Sequence, residues 1–499
     1  MTTVQNFPFA SIMLYFAGSV TCCVLRPKAS RNVCIAINAI VTGLMLAVLG
    51  YTVRSGESYV FYMGHFPAPW GNEIRAGMLE ALMAAVFSGV MLLTLLGGMR
   101  HIFEDVEPEK VNLYFTVCCL LMCSLMALTF TNDIFTGYVF VEINTIASCA
   151  LVMVRYKSGR ALVSTTRYLI MSLLGSGLFL MGIVILYGVT GHLLMEDMGR
   201  AIAQLRETGG YAFPLAAVAA LFAAGLALKS ALWPFHAWLP EAHACATVSS
   251  SGILSGLVLK GYIVLLIKIA YRVLGFKAFS KTGASDMLFV FGVAAMVVGS
   301  VYALREKDIK RMLAYSSVAQ IGYIYAGFGL GTAEGTAAAC IQIIVHALTK
   351  PMLFCASGGF MDVSGGSRMI MDLRGAGRRD PLSGVAFSVG ALSMVGIPLT
   401  AGFVTKMFLL RADFTAQRWK CIAGAAALII SAVLNALYYI PAISVLFGKR
   451  RDDRFRNVRP EYACGYIVAL IVFIALNFAI GIGFDSFTRI IENGLAILS

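Results

Sequence analysis

Four lysines and a glutamate stand where hydrocarbon is expected. Lys229, Lys260, Lys350, Lys406 and Glu142 each fall inside a long apolar run, and Glu80 lies early in another. An ionisable group at the centre of a bilayer costs at least about 2.5 kcal/mol, so such groups face one another or a hydrated cavity. Their chemistry is proton exchange: desolvation drives a buried lysine toward its neutral form, and a neighbouring carboxylate pulls it back. Moving Glu142 toward or away from Lys229 would therefore switch the amine between holding and releasing a proton. Of the six histidines, at 65, 101, 192, 236, 243 and 346, His346 and His236 fall inside or at the ends of apolar runs. An imidazole, with an unperturbed pKa of about 6.5, exchanges protons near neutrality. Lys350 follows His346 by four residues and so shares its helix face. The competing explanation is snorkelling, in which a lysine near a helix end reaches the headgroups. It fits Lys350, followed at once by Pro351, and Lys260; it fails for Glu142, whose side chain is short.

The elements that hold these residues follow from composition. Of 499 residues 59% are hydrophobic and only 13% charged, with a mean hydropathy of +0.81. Soluble domains carry about 25% charged residues, and this chain has too few to cover a soluble body of its size. The apolar runs reach the roughly 20 residues needed to cross a bilayer as helix. Fourteen are predicted, at 8–25, 34–53, 78–98, 111–130, 133–154, 163–189, 214–235, 249–270, 287–303, 312–330, 336–361, 384–410, 421–447 and 465–484. The chain is thus an all-α polytopic membrane protein. Residues 8–25 lack a basic leader, so no cleavable signal is expected. If the loop with Arg26, Lys28 and Arg31 is cytoplasmic, the loops on its side hold 23 Lys and Arg against 12 opposite. The densest cluster, Lys449 to Arg459, is on that side, which places both termini outside the cytoplasm.

Several functions are excluded. The net charge of +13 is dispersed between apolar runs, which argues against nucleic-acid binding. The 12 cysteines are scattered through apolar helices, as in Cys118-Cys119-Leu-Leu-Met-Cys123, with no iron–sulfur run, and read as packing residues. There is no phosphate-binding glycine loop. His236 and His243 flank a Trp-Leu-Pro turn, but zinc needs three or four ligands and no suitable set surrounds them. No cofactor or metal is expected on this chain, and any redox chemistry belongs to another subunit.

The segment Leu228-Lys-Ser-Ala-Leu-Trp-Pro-Phe-His-Ala-Trp-Leu-Pro-Glu-Ala-His243 resembles the signature of the proton-conducting antiporter-like subunits. These are subunits L, M and N of respiratory complex I, Mrp antiporter subunits A and D, and the related subunits of membrane-bound hydrogenases. Asn132-Asp133 with Glu142, the stretch from Asp308 to Gly322, and His346-Ala-Leu-Thr-Lys-Pro-Met-Leu-Phe354 resemble the same family, in order, over roughly residues 60–450. Tyr62-Met-Gly-His-Phe-Pro-Ala-Pro-Trp-Gly71 is most similar to the Mrp D-type and hydrogenase branch.

The resemblance implies an N-terminal three-helix segment (1–110) and two inverted five-helix repeats (111–270 and 287–448). A basic cytoplasmic loop and a last helix follow (449–499). Each repeat would contain one broken helix, at Pro234 and at Pro398, where a missing backbone donor frees a carbonyl for a side chain or water. In a route for protons, with sodium coupling as the alternative, Glu142 and Lys229 would form the entry ion pair, Lys260 the middle relay, His346 the bridge and Lys406 the exit lysine. His236, Lys350 and Glu80 would be auxiliary, and Tyr315, Ser316, Ser317 and Gln320 could order bridging waters. The partners implied are further membrane subunits, with either a peripheral hydrogenase or dehydrogenase arm or an Mrp-type assembly without redox centres. In two places the sequence departs from the family. Ala244 to Ser251 lacks the usual two prolines, and Glu80 stands one turn after the family's acid position near Gly77, as a substitute acid or a subunit contact. The rival readings are a stand-alone transporter of a small organic anion and a purely structural membrane subunit.

Overall fold

The computed structural model describes residues 3–63, 66, 71–155, 159–209, 211–449, 460 and 462–498. Gly64, His65 and Pro67 to Trp70 of the branch-specific motif, and Arg450 to Arg459 of the basic loop, lie outside the described residues. Twelve helices among the described residues are long and apolar enough to cross a membrane. They comprise α1 (Phe7–Val24), α2 (Pro27–Ser55), α3 (Met78–Asp105), α4 (Val111–Phe130), α5 (Ile134–Met153), α6 (Gly159–Thr190), α8 (Ala212–Lys229), α10 (Val248–Arg272), α11 (Gly283–Arg305), α13 (Ala333–Asp362), α16 (Arg418–Phe447) and α17 (Cys464–Ile482). The more polar α12 (Ile309–Gly329) also occupies an expected run, and α14 (Pro381–Val395) with α15 (Ala401–Thr415) fills the last as two halves. All fourteen expected runs contain helix, and two of them, 214–235 and 384–410, are interrupted.

Burial sorts these helices. α10 and α13 are enclosed on every side, whereas α2 and α17 leave most of their apolar surface outside. Residues that are apolar all round and exposed suit lipid or another membrane subunit. The two enclosed helices carry Lys260, His346 and Lys350, so the bundle is built around its charges.

Both breaks are real and sharper than proline alone requires. The expected run 214–235 is corrected: α8 stops at Lys229, a short turn (Phe235–Ala237) follows, and α9 (Trp238–Cys245) resumes. Ala231 and Leu399, one in each break, hold left-handed backbone at φ 56° and 73°. Non-glycine residues there carry strain that surrounding packing must sustain, and such strain concentrates at functional positions. The proline-free stretch after His243 keeps its turn another way: Thr247 caps α10, its hydroxyl accepting the Ser250 N–H at 3.1 Å.

The sequence reading missed three elements. A hairpin pairs β1 (Tyr59–Tyr62) with β2 (Glu73–Ala76), Tyr59 opposite Ala76. The segment α7 (Met195–Thr208) is a polar amphipathic helix. After the last expected span comes a further helix, α18 (Phe484–Leu498), burying Thr488, Ile491, Leu495 and Leu498 at helical spacing. Four basic residues counted as loop charges, Lys268, Arg272, Lys310 and Lys420, are buried. Three of the four come from the side poorer in basic residues, so removing them widens the charge bias.

The contact between α11 and α12 rests on glycine. A methyl at Gly322 would lie 2.6 Å from the Met296 nitrogen, and one at Gly299 2.7 Å from the Ala319 nitrogen. Small residues let membrane helices approach backbone to backbone. Gly322→Val is expected to lower the yield of folded protein, since overpacking costs about 1–3 kcal/mol. Fluorescence-detected size exclusion checks this; a wild-type yield and elution profile would refute it.

Candidate functional site

The first charged group sits between α5 and the end of α8. Asp133 caps α5, accepting the Thr136 N–H at 2.6 Å, and so fixes which face carries Glu142 and Thr145. Lys229 Nζ lies 3.7 Å from Glu142 Oε1 and donates to Thr145 Oγ1 at 2.7 Å. The Lys229 side chain is 1% exposed and that of Glu142 is 22% exposed, so the amine is enclosed while the carboxylate reaches the margin. The Tyr262 hydroxyl is 3.3 Å from Thr145 Oγ1 and donates to Asn144 Oδ1 at 3.1 Å. Asn144 in turn donates to Ser124 Oγ at 3.0 Å. Tyr262, Asn144 and Ser124 were not anticipated, because each is a common packing residue when read alone.

Lys260 stands at the centre. Its ammonium donates to the Ser255 carbonyl, inside a π-helical turn (Leu254–Val258) that interrupts α10. Such bulges free carbonyls from the regular ladder and recur at functional sites. Ser255 Oγ meets Ser317 Oγ at 2.8 Å, and Ser317 Oγ donates to the Leu313 carbonyl at 3.0 Å. Lys350 Nζ donates to that same carbonyl at 2.9 Å. Lys260, His346 and Lys350 are all 0% exposed, which overturns the snorkelling alternative for both lysines. Neither ring nitrogen of His346 or His243 bonds to a protein group among the described residues.

From Lys350 a hydrogen-bonded series runs into the second half of the bundle. Lys350 Nζ donates to Tyr439 OH at 3.3 Å, and Tyr439 OH lies 2.9 Å from Ser316 Oγ. The Tyr438 hydroxyl bridges Ser316 Oγ at 2.9 Å and Asn435 Oδ1 at 2.5 Å. Asn435 Nδ2 donates to the Met394 carbonyl at 3.3 Å. That carbonyl also receives Lys406 Nζ at 2.9 Å, and Lys406 donates to the Val395 carbonyl as well. The broken helix therefore places an ammonium on the free carbonyls at the C-terminus of α14, the negative end of its dipole. Ser316 was anticipated as polar lining. Tyr438, Tyr439 and Asn435 were not; an asparagine within the apolar run of α16 was the available signal.

The auxiliary residues separate. Lys350 joins the series. His236 sits at a helix end between the Tyr302 and Tyr315 rings, 6.1 and 6.4 Å away, while His243 stacks on Phe354 at 5.0 Å. The two histidines do not converge. Among the described residues no group of three His, Cys, Asp or Glu could hold a metal ion. Glu80 is corrected as a candidate subunit contact: it is enclosed within the chain, its Oε1 2.5 Å from Arg272 Nη2 and its Oε2 accepting the Gly77 N–H at 3.2 Å. Arg272 also donates to Asn132, which donates to Glu73 at 2.6 Å. In the hairpin outside the spans, burial pushes the Glu73 carboxyl above its usual range, and the Asn132 amide partly offsets this. Lys268 donates to the Thr129 and Thr131 carbonyls at 2.7 Å each.

Two interrupted helices, each with a lysine beside its break, around two enclosed helices that carry further lysines and a histidine, define an antiporter-like membrane subunit. The family model described as NADH:quinone oxidoreductase/Mrp antiporter, transmembrane, matches residues 131–434. The chain belongs to this family. It is 32% identical over 409 residues to NADH-quinone oxidoreductase subunit N of Desulforudis audaxviator, covering 80% of this chain and 78% of the relative. It is 30% identical over 411 residues to subunit N 1 of Sorangium cellulosum, covering 79% and 77%. The fold matches a chain of an archaeal membrane-bound sulfane sulfur reductase with TM-score 0.88 at 26% identity, covering 100% of this chain and 98% of the other. It matches a chain of the Mrp complex from Dietzia sp. DQ12-45-1b with TM-score 0.86 at 22% identity, covering 100% and 98%.

Proposed function

We propose that this chain carries protons across the membrane through Glu142, Lys229, Lys260, His346, Lys350 and Lys406, as one subunit of a larger membrane complex. The observation that carries the reading is the hydrogen-bonded series from Lys350 to the carbonyl that also holds Lys406. The hydroxyls of Tyr439, Ser316 and Tyr438 can each accept one proton while giving up another. Asn435 and the Met394 carbonyl cannot, so the last step needs water or movement of the Lys406 ammonium. The buried His346 ring, with two nitrogens to satisfy, fits a hydrated link between Lys260 and Lys350. The placement of the two helix breaks supports reading 111–270 and 287–448 as two repeats. No step in this reading calls for a cofactor on this chain.

The subunit N relatives favour a redox-driven complex with an electron-transfer arm over an Mrp-type exchanger, in the cell membrane. The dispersed basic loops favour both termini on the non-cytoplasmic side. Glu142→Gln removes the carboxylate charge and keeps its shape. Proton translocation by the assembled complex in membrane vesicles is expected to fall about tenfold, equivalent to about 1.4 kcal/mol. An unchanged rate with normal assembly would remove Glu142 from the path.

A further inference from the structure

Asp413 is a buried acid that the path above leaves unused. It lies on α15, 5% exposed, seven residues after Lys406 and so on the same helix face, about 10 Å further along the axis. Its carboxylate packs against Gly424 of α16, where a methyl group would collide with it. Charged groups at that end of the bundle include Arg411 on α15, Arg418 and Lys420 on α16, Glu334 at the start of α13, Lys277 and Lys281 before α11, Asp286 on α11, and Asp485 and Glu492 beyond α17. None makes a hydrogen bond or ion pair with Asp413 among the described residues. The nearest cation in register with Gly424, Lys420 one turn earlier on α16, is committed to Asp286 at 2.7 Å and to the Gly329 carbonyl at 2.8 Å.

An ionised carboxylate there would lack a counter-charge, would keep little of its water, and would sit in the last turn of a helix, whose dipole repels it. All three effects favour the protonated acid. A side chain with only a packing role would be apolar at such a place. Side chains on a helix lean toward its N-terminus, so the Asp413 carboxyl is directed back along α15 toward Lys406.

We infer that Asp413 is the proton-release group of this path: it gives its proton to the aqueous side at which α15 ends and is recharged from Lys406. The inference rests on the translocation reading above. In the cycle the Asp413 O–H bond breaks toward solvent, and the carboxylate then takes a proton from the Lys406 ammonium through intervening water. The amine is left neutral, to be reprotonated from the Asn435 side.

The test compares Asp413→Asn, Asp413→Glu and Lys406→Ala in vesicles holding the whole complex, with proton release followed while the pH on the release side is varied. Asp413→Asn is expected to assemble normally, to translocate about tenfold more slowly, and to lack the slowing on acidification of the release side that is expected of the wild type. Asp413→Glu is expected to restore most of the rate. Wild-type rate and pH profile in Asp413→Asn, with Lys406→Ala impaired, would overturn this inference and leave the path standing. Failure of Asp413→Asn to assemble, without rescue by Asp413→Glu, would also overturn it, by making the residue structural. If Lys406→Ala itself pumps normally, the underlying path is wrong.

Discussion

Lys229→Ala is expected to abolish measurable proton translocation while the complex still assembles. The residue is enclosed, ends α8 at the first helix break, and is the only amine paired with Glu142 among the described residues. Removing a group that must take up and pass on a proton costs about 100-fold or more, the range seen for positioned acids and bases. Loss of function in alanine alone does not separate proton carriage from charge balance, since Glu142 would be left without its partner. Lys229→Arg separates them. Guanidinium keeps the positive charge and can still bond Thr145 and Glu142, yet it does not give up its proton in proteins. If Lys229 carries protons, the arginine variant assembles as well as wild type and pumps no better than the alanine variant. If the charge merely holds α5 to α8, arginine restores pumping. The same measurement therefore decides between the relay and the structural reading, in a complex whose assembly is checked by co-purification of its other subunits.

What could be read from the chain divides along a physical line. Spans were legible because a 30 Å apolar layer demands long apolar runs, and each of the fourteen contains helix, two of them interrupted. The charges of the proposed path were legible where they interrupt such runs, as Glu142, Lys229, Lys260 and Lys406 do. Lys268 and Arg272 escaped because they lie within a turn or so of the end of α10, where a basic residue ordinarily belongs to the headgroup region. Only the packing of α3 and the end of α4 against them shows that they are enclosed. The amphipathic helices α7 and α18 escaped for the opposite reason: their polar faces resemble loop, and their apolar faces are too short to read as spans. Tyr438 and Tyr439 of α16 were invisible because their role depends on which helices meet. Ser316 on α12 bonds both Tyr438 and Tyr439 of α16, more than a hundred residues away, and no local spacing encodes that contact.

That contact leads to the variant with the second-largest expected effect, Asn435→Leu. Leucine has similar volume, so the helix packing should survive, but four hydrogen bonds go. Asn435 accepts from the Tyr438 hydroxyl at 2.5 Å and from Ser300 Oγ at 3.4 Å, and donates to the Met394 carbonyl at 3.3 Å and to Tyr323 OH at 3.5 Å. Leaving a buried polar group without its partner costs about 1–3 kcal/mol. If that cost falls on the arrangement in which a proton passes, translocation drops by about 10-fold to 100-fold. Tyr438→Phe removes the preceding hydroxyl and breaks the same series one link earlier. Two cuts in one series do no more damage than the worse of them, so the double variant should match the slower single variant. Two independent paths, or two unrelated packing defects, give effects that multiply. Rates for the four proteins of this cycle, measured in vesicles at equal complex content, distinguish these cases. A double variant slower than both singles by the product of their effects would show that Asn435 and Tyr438 do not serve one route between Lys350 and Lys406.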